Sequence, residues 1–162
     1  MSSPSGLTDV GGFDRAEHAF AATLGEIDEP KRGHPHVRIG HALLWANVLN
    51  DAYFRAGGHA YSTRRDQDAD GAPMWGLALA FNALKHGAAL CADVKPEIEE
   101  PGIRIGQWTW VADVELLVKS LDIPPRPGQC AGYEREIAGR LLAAPFARVR
   151  RWFAKSKQLW PV

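Results

Sequence analysis

The stretch Pro73-Met74-Trp75-Gly76-Leu77-Ala78-Leu79-Ala80-Phe81-Asn82-Ala83-Leu84-Lys85-His86-Gly87-Ala88-Ala89-Leu90-Cys91 is apolar except for an amide, an ammonium and an imidazole near its end. Pro73 stands where a proline opens a helix, with its φ fixed and no N–H to satisfy, and the apolar run predicts a helix to about Cys91. On that helix Asn82, Lys85 and His86 fall at i, i+3 and i+4 and share one face, while Leu77, Phe81 and Leu84 project toward neighbouring elements. An unpaired buried polar group costs roughly 1–3 kcal/mol. A polar stripe on a core helix is therefore expected to meet another polar side chain, a second subunit or a ligand, which makes these three residues the candidate site.

Working outward, residues 1–12 are rich in Ser, Gly and Pro and read as a flexible N-terminal arm, leaving 13–162 as a single helical domain. A first helix is expected from Phe13 or Asp14 to about Ile27, with Phe13, Ala16, Phe20 and Leu24 at helical spacing, ended by Asp28 to Gly33. A second spans about Val37 to Ala56 and is closed by Gly57-Gly58. Its expected inner face holds Leu44, Trp45, Val48, Leu49 and Ala52, with Asn47, Asn50 and Asp51 opposite. His59 to Gly71 reads as a polar loop. After the third helix, Lys95 to Gly102 is loop material and Ile103 to Val111 mixes alternation with β-favouring residues, so a short strand or strand pair is expected there. Pro124-Pro125-Arg126-Pro127-Gly128 breaks the chain, and Gln129 to Leu142 and Pro145 to about Leu159 read as two further helical segments. The fold class is mainly α, a helical bundle with a short β-strand or hairpin insertion after the third helix.

Composition narrows the function. The 162 residues are 46% hydrophobic and suffice for one cored domain, and 19 basic residues balance 19 acidic ones, so net charge gives no argument for nucleic acid or an anionic membrane. No apolar run is long enough to span a bilayer, and Met1 to Thr8 lacks the basic and apolar regions of a signal peptide. Cys91 and Cys130 form no disulfide framework or zinc pattern, consistent with reduced thiols in a cytoplasmic protein.

Phe81-Asn82-Ala83-Leu84-Lys85-His86 resembles the motif of HEPN domains, a helical superfamily of bacterial toxin and defence systems. That motif has an Arg, a polar residue that is often Asn, three free positions and a His. Asn82 and His86 match, Gly87 follows as in many such segments, and Phe81 stands where the family has Arg. Trp108-Thr109-Trp110-Val111-Ala112-Asp113 and Tyr133-Glu134-Arg135-Glu136-Ile137-Ala138-Gly139-Arg140 are similar to segments of uncharacterised bacterial HEPN-like proteins. The resemblance implies a homodimer, no cofactor, and metal-independent RNA cleavage at a groove between subunits. There His86 would serve as acid or base, and a cation would stabilise the phosphorane. Phe81 cannot supply that cation, and Lys85 lacks the guanidinium fork, so an Arg from elsewhere, such as Arg38, Arg55 or Arg64, would have to replace it.

Other constellations carry their own alternatives. Phe146 to Lys157 holds Arg148, Arg150, Arg151, Lys155 and Lys157 with interleaved aromatics and no acidic residue. It is either a nucleic-acid-binding surface or the solvent face of an ordinary amphipathic helix. Asp66-Gln67-Asp68-Ala69-Asp70-Gly71 matches the first half of an EF-hand loop, but Leu77 stands where the closing Glu is required. His34, His36 and His41 lack the spacing and companions of a metal set, and no metal is expected. Two functions follow. One is a nucleic-acid-associated or defence-linked, toxin-antitoxin type protein with a partly degraded ribonuclease site. The other is a non-catalytic module in which the Asn82/His86 stripe and the basic tail grip a protein partner.

Overall fold

The chain's computed structural model describes residues 10–27, 35–94 and 107–161. Its third helix, α3 (Pro73–Lys85), starts at Pro73 as the sequence requires but stops six residues before Cys91. The cause is local. Gly87 takes φ 82°, its N–H donates to the Leu84 carbonyl at 3.0 Å, and the Ala88 N–H reaches back to Ala83 at 3.0 Å. These paired bonds satisfy the last carbonyls and turn the chain out of the helix. The backbone then enters β1 (Cys91–Val94), which pairs antiparallel with β2 (Gln107–Trp110), Cys91 opposite Trp110 and Val94 opposite Gln107. A strand pair follows the third helix as expected, but only β2 falls in the expected segment: β1 starts at Cys91, where the helix was expected to end, and residues 103–106 lie outside the described residues.

Two helices precede α3. The first, α1 (Val10–Ile27), begins three residues earlier than Phe13, within the segment expected to be an arm. The second, α2 (His36–Gln67), continues past the glycine pair that was expected to close it. Gly58 adopts φ 56°, ψ −136°, a conformation open to a residue without Cβ, and helix resumes beyond the kink. Tertiary packing overrides the stop signal: Tyr61 is fully buried, its ring 5.9 Å from Tyr53, 5.6 Å from Trp152 and 5.4 Å from Trp160. The polar loop expected from His59 is thus helical to Gln67.

The orientation of α2 also differs from the expected one. Ile39, Ala42, Leu43, Ala46, Leu49 and Tyr53 face the core, whereas Leu44 and Val48, expected inside, lie outside at 41% and 40% exposure with Val37 at 67%. Asn47 and Asn50, expected outside, are half-buried. The helix carries apolar residues on both faces, and the larger set won the core.

The chain ends in α4 (Val114–Lys119), α5 (Gln129–Glu136) and α6 (Ala143–Leu159), giving six helices among the described residues. The short α4, not foreseen, is capped by the Asp113 carboxylate, which accepts from the Glu115 N–H at 2.9 Å. The helix expected to reach Leu142 ends at Glu136. Past it, Trp110 donates its N–H to the Arg140 carbonyl and Leu142 donates to Trp108, tying the segment after α5 to β2. Edge-to-face and stacked aromatics join α1, α2 and α6: Phe13 with Tyr53 at 5.1 Å, Tyr53 with Phe153 at 5.7 Å and Phe20 with Phe153 at 5.8 Å. Among the described residues no helix is long and apolar enough to cross a membrane.

Candidate functional site

The polar stripe occupies the outer side of the last turn of α3. Asn82 is half-buried and its side chain makes no hydrogen bond among the described residues, and Lys85 is exposed with its ammonium 4.2 Å from the centroid of the Phe81 ring. His86 caps the helix, and its Nδ1 lies 3.2 Å from an Asp122 carboxylate oxygen, the two side chains 36% and 84% exposed. Each polar group therefore has its own surroundings: an aromatic face for Lys85, a carboxylate for His86. No hydrogen bond joins Asn82 to His86. Because the turn is solvated, the desolvation cost that would demand a common partner is small. Of the three substitute cations, Arg38 donates to the Glu26 carbonyl at 2.5 Å, and Arg55 and Arg64 are exposed on α2.

Two motifs that stand apart in the sequence meet in space. Arg151 donates to Asp70 at 2.8 and 3.1 Å, and Lys155 bonds Asp68 at 3.0 Å and Asp70 at 3.0 Å. Arg148 reaches Glu136 at 2.7 Å and the Ala69 carbonyl, and Lys157 reaches Glu17 at 2.7 Å and Asp14 at 3.5 Å. Among the described residues only Arg150 of the five candidate phosphate-binding cations has no acidic partner. Burial would raise the Asp68, Asp70 and Glu136 carboxyls. The hydrogen bonds and charges of Lys155, Arg151, Arg148 and Arg135 more than offset it and hold all three below their ordinary values. A signal for this pairing was present: Asp66, Asp68 and Asp70 alternate just before the helix that Pro73 opens, and Arg148, Arg151 and Lys155 recur at i, i+3, i+7.

The half EF-hand loop has spent its carboxylates on protein partners. Asp66 accepts from Arg65 Nε at 2.8 Å and from the Trp75 indole at 2.9 Å, and Asp68 accepts the Asp70 N–H at 2.8 Å. His36 lies 3.8 Å from the Cys91 sulfur, His41 is exposed, and His34 lies outside the described residues. Burial pushes the Cys91 thiol up to about 11, leaving it a poor nucleophile. Among the described residues no three His, Cys, Asp or Glu side chains are grouped to hold a metal ion.

One polar assembly went unseen in the sequence. A cavity of about 470 Å³ is lined in part by Asn47, Asn50, Phe54, Arg65, Trp75 and Gln129. The buried Arg65 donates to Asn50 at 3.2 Å and lies 5.0 Å from the Trp75 ring, and Tyr61 also donates to Asn50 at 3.0 Å. Reading residues 59–71 as a loop hid it, since only a helix resuming after Gly58 turns Tyr61 and Arg65 inward. No family model matches the chain, and no curated protein or solved structure matches it.

Proposed function

We propose that this chain is a non-catalytic, intracellular protein-interaction module. The observation that carries the reading is the row of exposed aliphatic side chains Val37, Leu44 and Val48 on α2, a helix whose other face is already committed to the core. Isolated exposed apolar residues are commonplace, but a row along one helix face supplies the apolar centre that protein interfaces require. The charge arrangement supports the same reading. A phosphate backbone approaching α6 competes with Asp68, Asp70, Glu136 and Glu17 for cations already bonded at 2.7–3.0 Å.

The second reading, an RNA-cleaving HEPN-like homodimer of a toxin-antitoxin or defence system, draws support from His86. Its imidazole is accessible and oriented by the Asp122 carboxylate, an arrangement suited to a general base. Incubating the purified protein with labelled single- and double-stranded RNA in chelator decides between them. The module reading expects no cleavage beyond that of His86→Ala and no salt-dependent binding attributable to α6. Cleavage by the native chain that His86→Ala abolishes overturns it.

A further inference from the structure

Between His36 and the kink at Gly58, the outer face of α2 carries Val37, His41, Leu44, Val48, Asp51 and Arg55. At 3.6 residues per turn these six fall within an arc of about 80° and extend along about 27 Å of helix. All six are exposed, and His41, Asp51 and Arg55 have no hydrogen bond or ion pair among the described residues. The order of the row is self-complementary. Turned end for end about the level of Ala46, it sets Leu44 against Val48, His41 against Asp51, and Val37 against the aliphatic stem of Arg55. Each contact occurs twice, as a two-fold axis requires. Parallel pairing in register instead stacks Asp51 on Asp51 and Arg55 on Arg55.

We propose that this face of α2 docks a second copy of the chain, antiparallel about a two-fold axis at the level of Ala46. The inference rests on the interaction-module reading and names the module's partner. Leu44 and Val48 form the dry centre, and the two His41–Asp51 contacts at its flanks fix direction and register, as charged flanks do in paired helices. A helix-on-helix contact of this length is modest in area, so the dimer forms reversibly with concentration.

Sedimentation of the full chain over a concentration series tests it. The mass is expected to rise from 17.8 kDa toward twice that value. Leu44→Asp and Asp51→Lys should each weaken association by about tenfold or more, the first by charging the apolar centre and the second by removing the carboxylate that accepts from His41. The double variant His41→Asp/Asp51→Lys should return to within about threefold of the native chain, because a carboxylate and a cationic donor then face one another. The two positions lie about 15 Å apart along one helix, so that recovery cannot arise within a single copy. Circular dichroism and thermal melting confirm that each variant is folded. A chain that stays monomeric at every concentration overturns the proposal and leaves the module reading with a different partner. So does a dimer indifferent to both single variants, or a monomer whose melting temperature Leu44→Asp lowers sharply, which places the chain's own residues on this face. RNA cleavage through His86 by a chain whose double variant recovers overturns only the module reading.

Discussion

Ser156 sits on the inner face of α6 with no exposed surface, and its hydroxyl has no hydrogen-bond partner among the described residues. A buried hydroxyl that has surrendered water without a replacement destabilises the fold, and removing it costs only a small change in volume. Ser156→Ala is expected to stabilise the protein by about 1 kcal/mol, a rise in melting temperature of about 2–4 °C. Thermal unfolding that shows a loss of stability would mean the hydroxyl is in fact bonded. The same accounting explains the stripe on α3. Asn82, Lys85 and His86 drew attention because a buried polar group needs a partner. Helical periodicity groups the three residues, but it carries no information on where the helix ends, and His86 lies just past it as the C-cap. With the Gly87 turn two residues beyond Lys85, the stripe lies in the terminal turn, where water serves Lys85 and His86 and the need for a shared partner lapses.

At the scale of elements, α3 packs most extensively on α5, and the approach is close because Gly76 has no side chain. A Cβ there would stand 2.6 Å from Ile137 Cγ1, 2.8 Å from Tyr133 Cα and 2.9 Å from Tyr133 N, and backbone atoms cannot swing away as a side-chain end can. Gly76→Ala gains up to about 1 kcal/mol of helix propensity, but overpacking of this kind costs about 1–3 kcal/mol. With two contacts to backbone the clash is expected to win, a net loss of about 1–2 kcal/mol measurable by urea denaturation. A more stable variant would show that α5 can shift. Gly76 looked unremarkable in the sequence, since only the crossing partner gives it a role. The helices themselves were legible wherever one apolar face dominated, as in α1 and α6. The inner face of α2 was legible at Leu49 but not at Ile39 and Leu43, which compete with Leu44 and Val48 for the same assignment. Periodicity finds a helix carrying two apolar rows but cannot choose between them, and the choice is made by the aromatic contacts of Tyr53 and Tyr61.

For the whole molecule, balanced net charge conceals an internal pairing of opposites. The acidic turn after α2, Glu136 on α5 and Glu17 on α1 each hold cations of α6, so the last helix is clasped electrostatically by three parts of the fold. The sign of the pH dependence follows. Asp68, Asp70 and Glu136 have folded-state values below their ordinary 3.8, 3.8 and 4.5, because the cations of α6 and Arg135 outweigh the opposing effect of burial. The folded state thus binds protons less readily than the unfolded chain. Their stabilisation is fully present above the ordinary carboxylate range, begins to fade as pH falls through about 4.5, and is lost once pH passes below the lowered folded values. Melting temperature should accordingly be flat with respect to these groups from pH 6 to 7 and fall on the acid side. Asp70 contributes to the bonds of both Arg151 and Lys155, so Asp70→Asn should melt lower than the native chain near neutrality and decline less steeply below pH 4.5. The two curves should converge at low pH, where the native carboxyl is itself protonated. Parallel curves through the acid range would show that Asp70 does not couple protonation to the docking of α6, and the clasp would then rest on Asp68, Glu136 and Glu17.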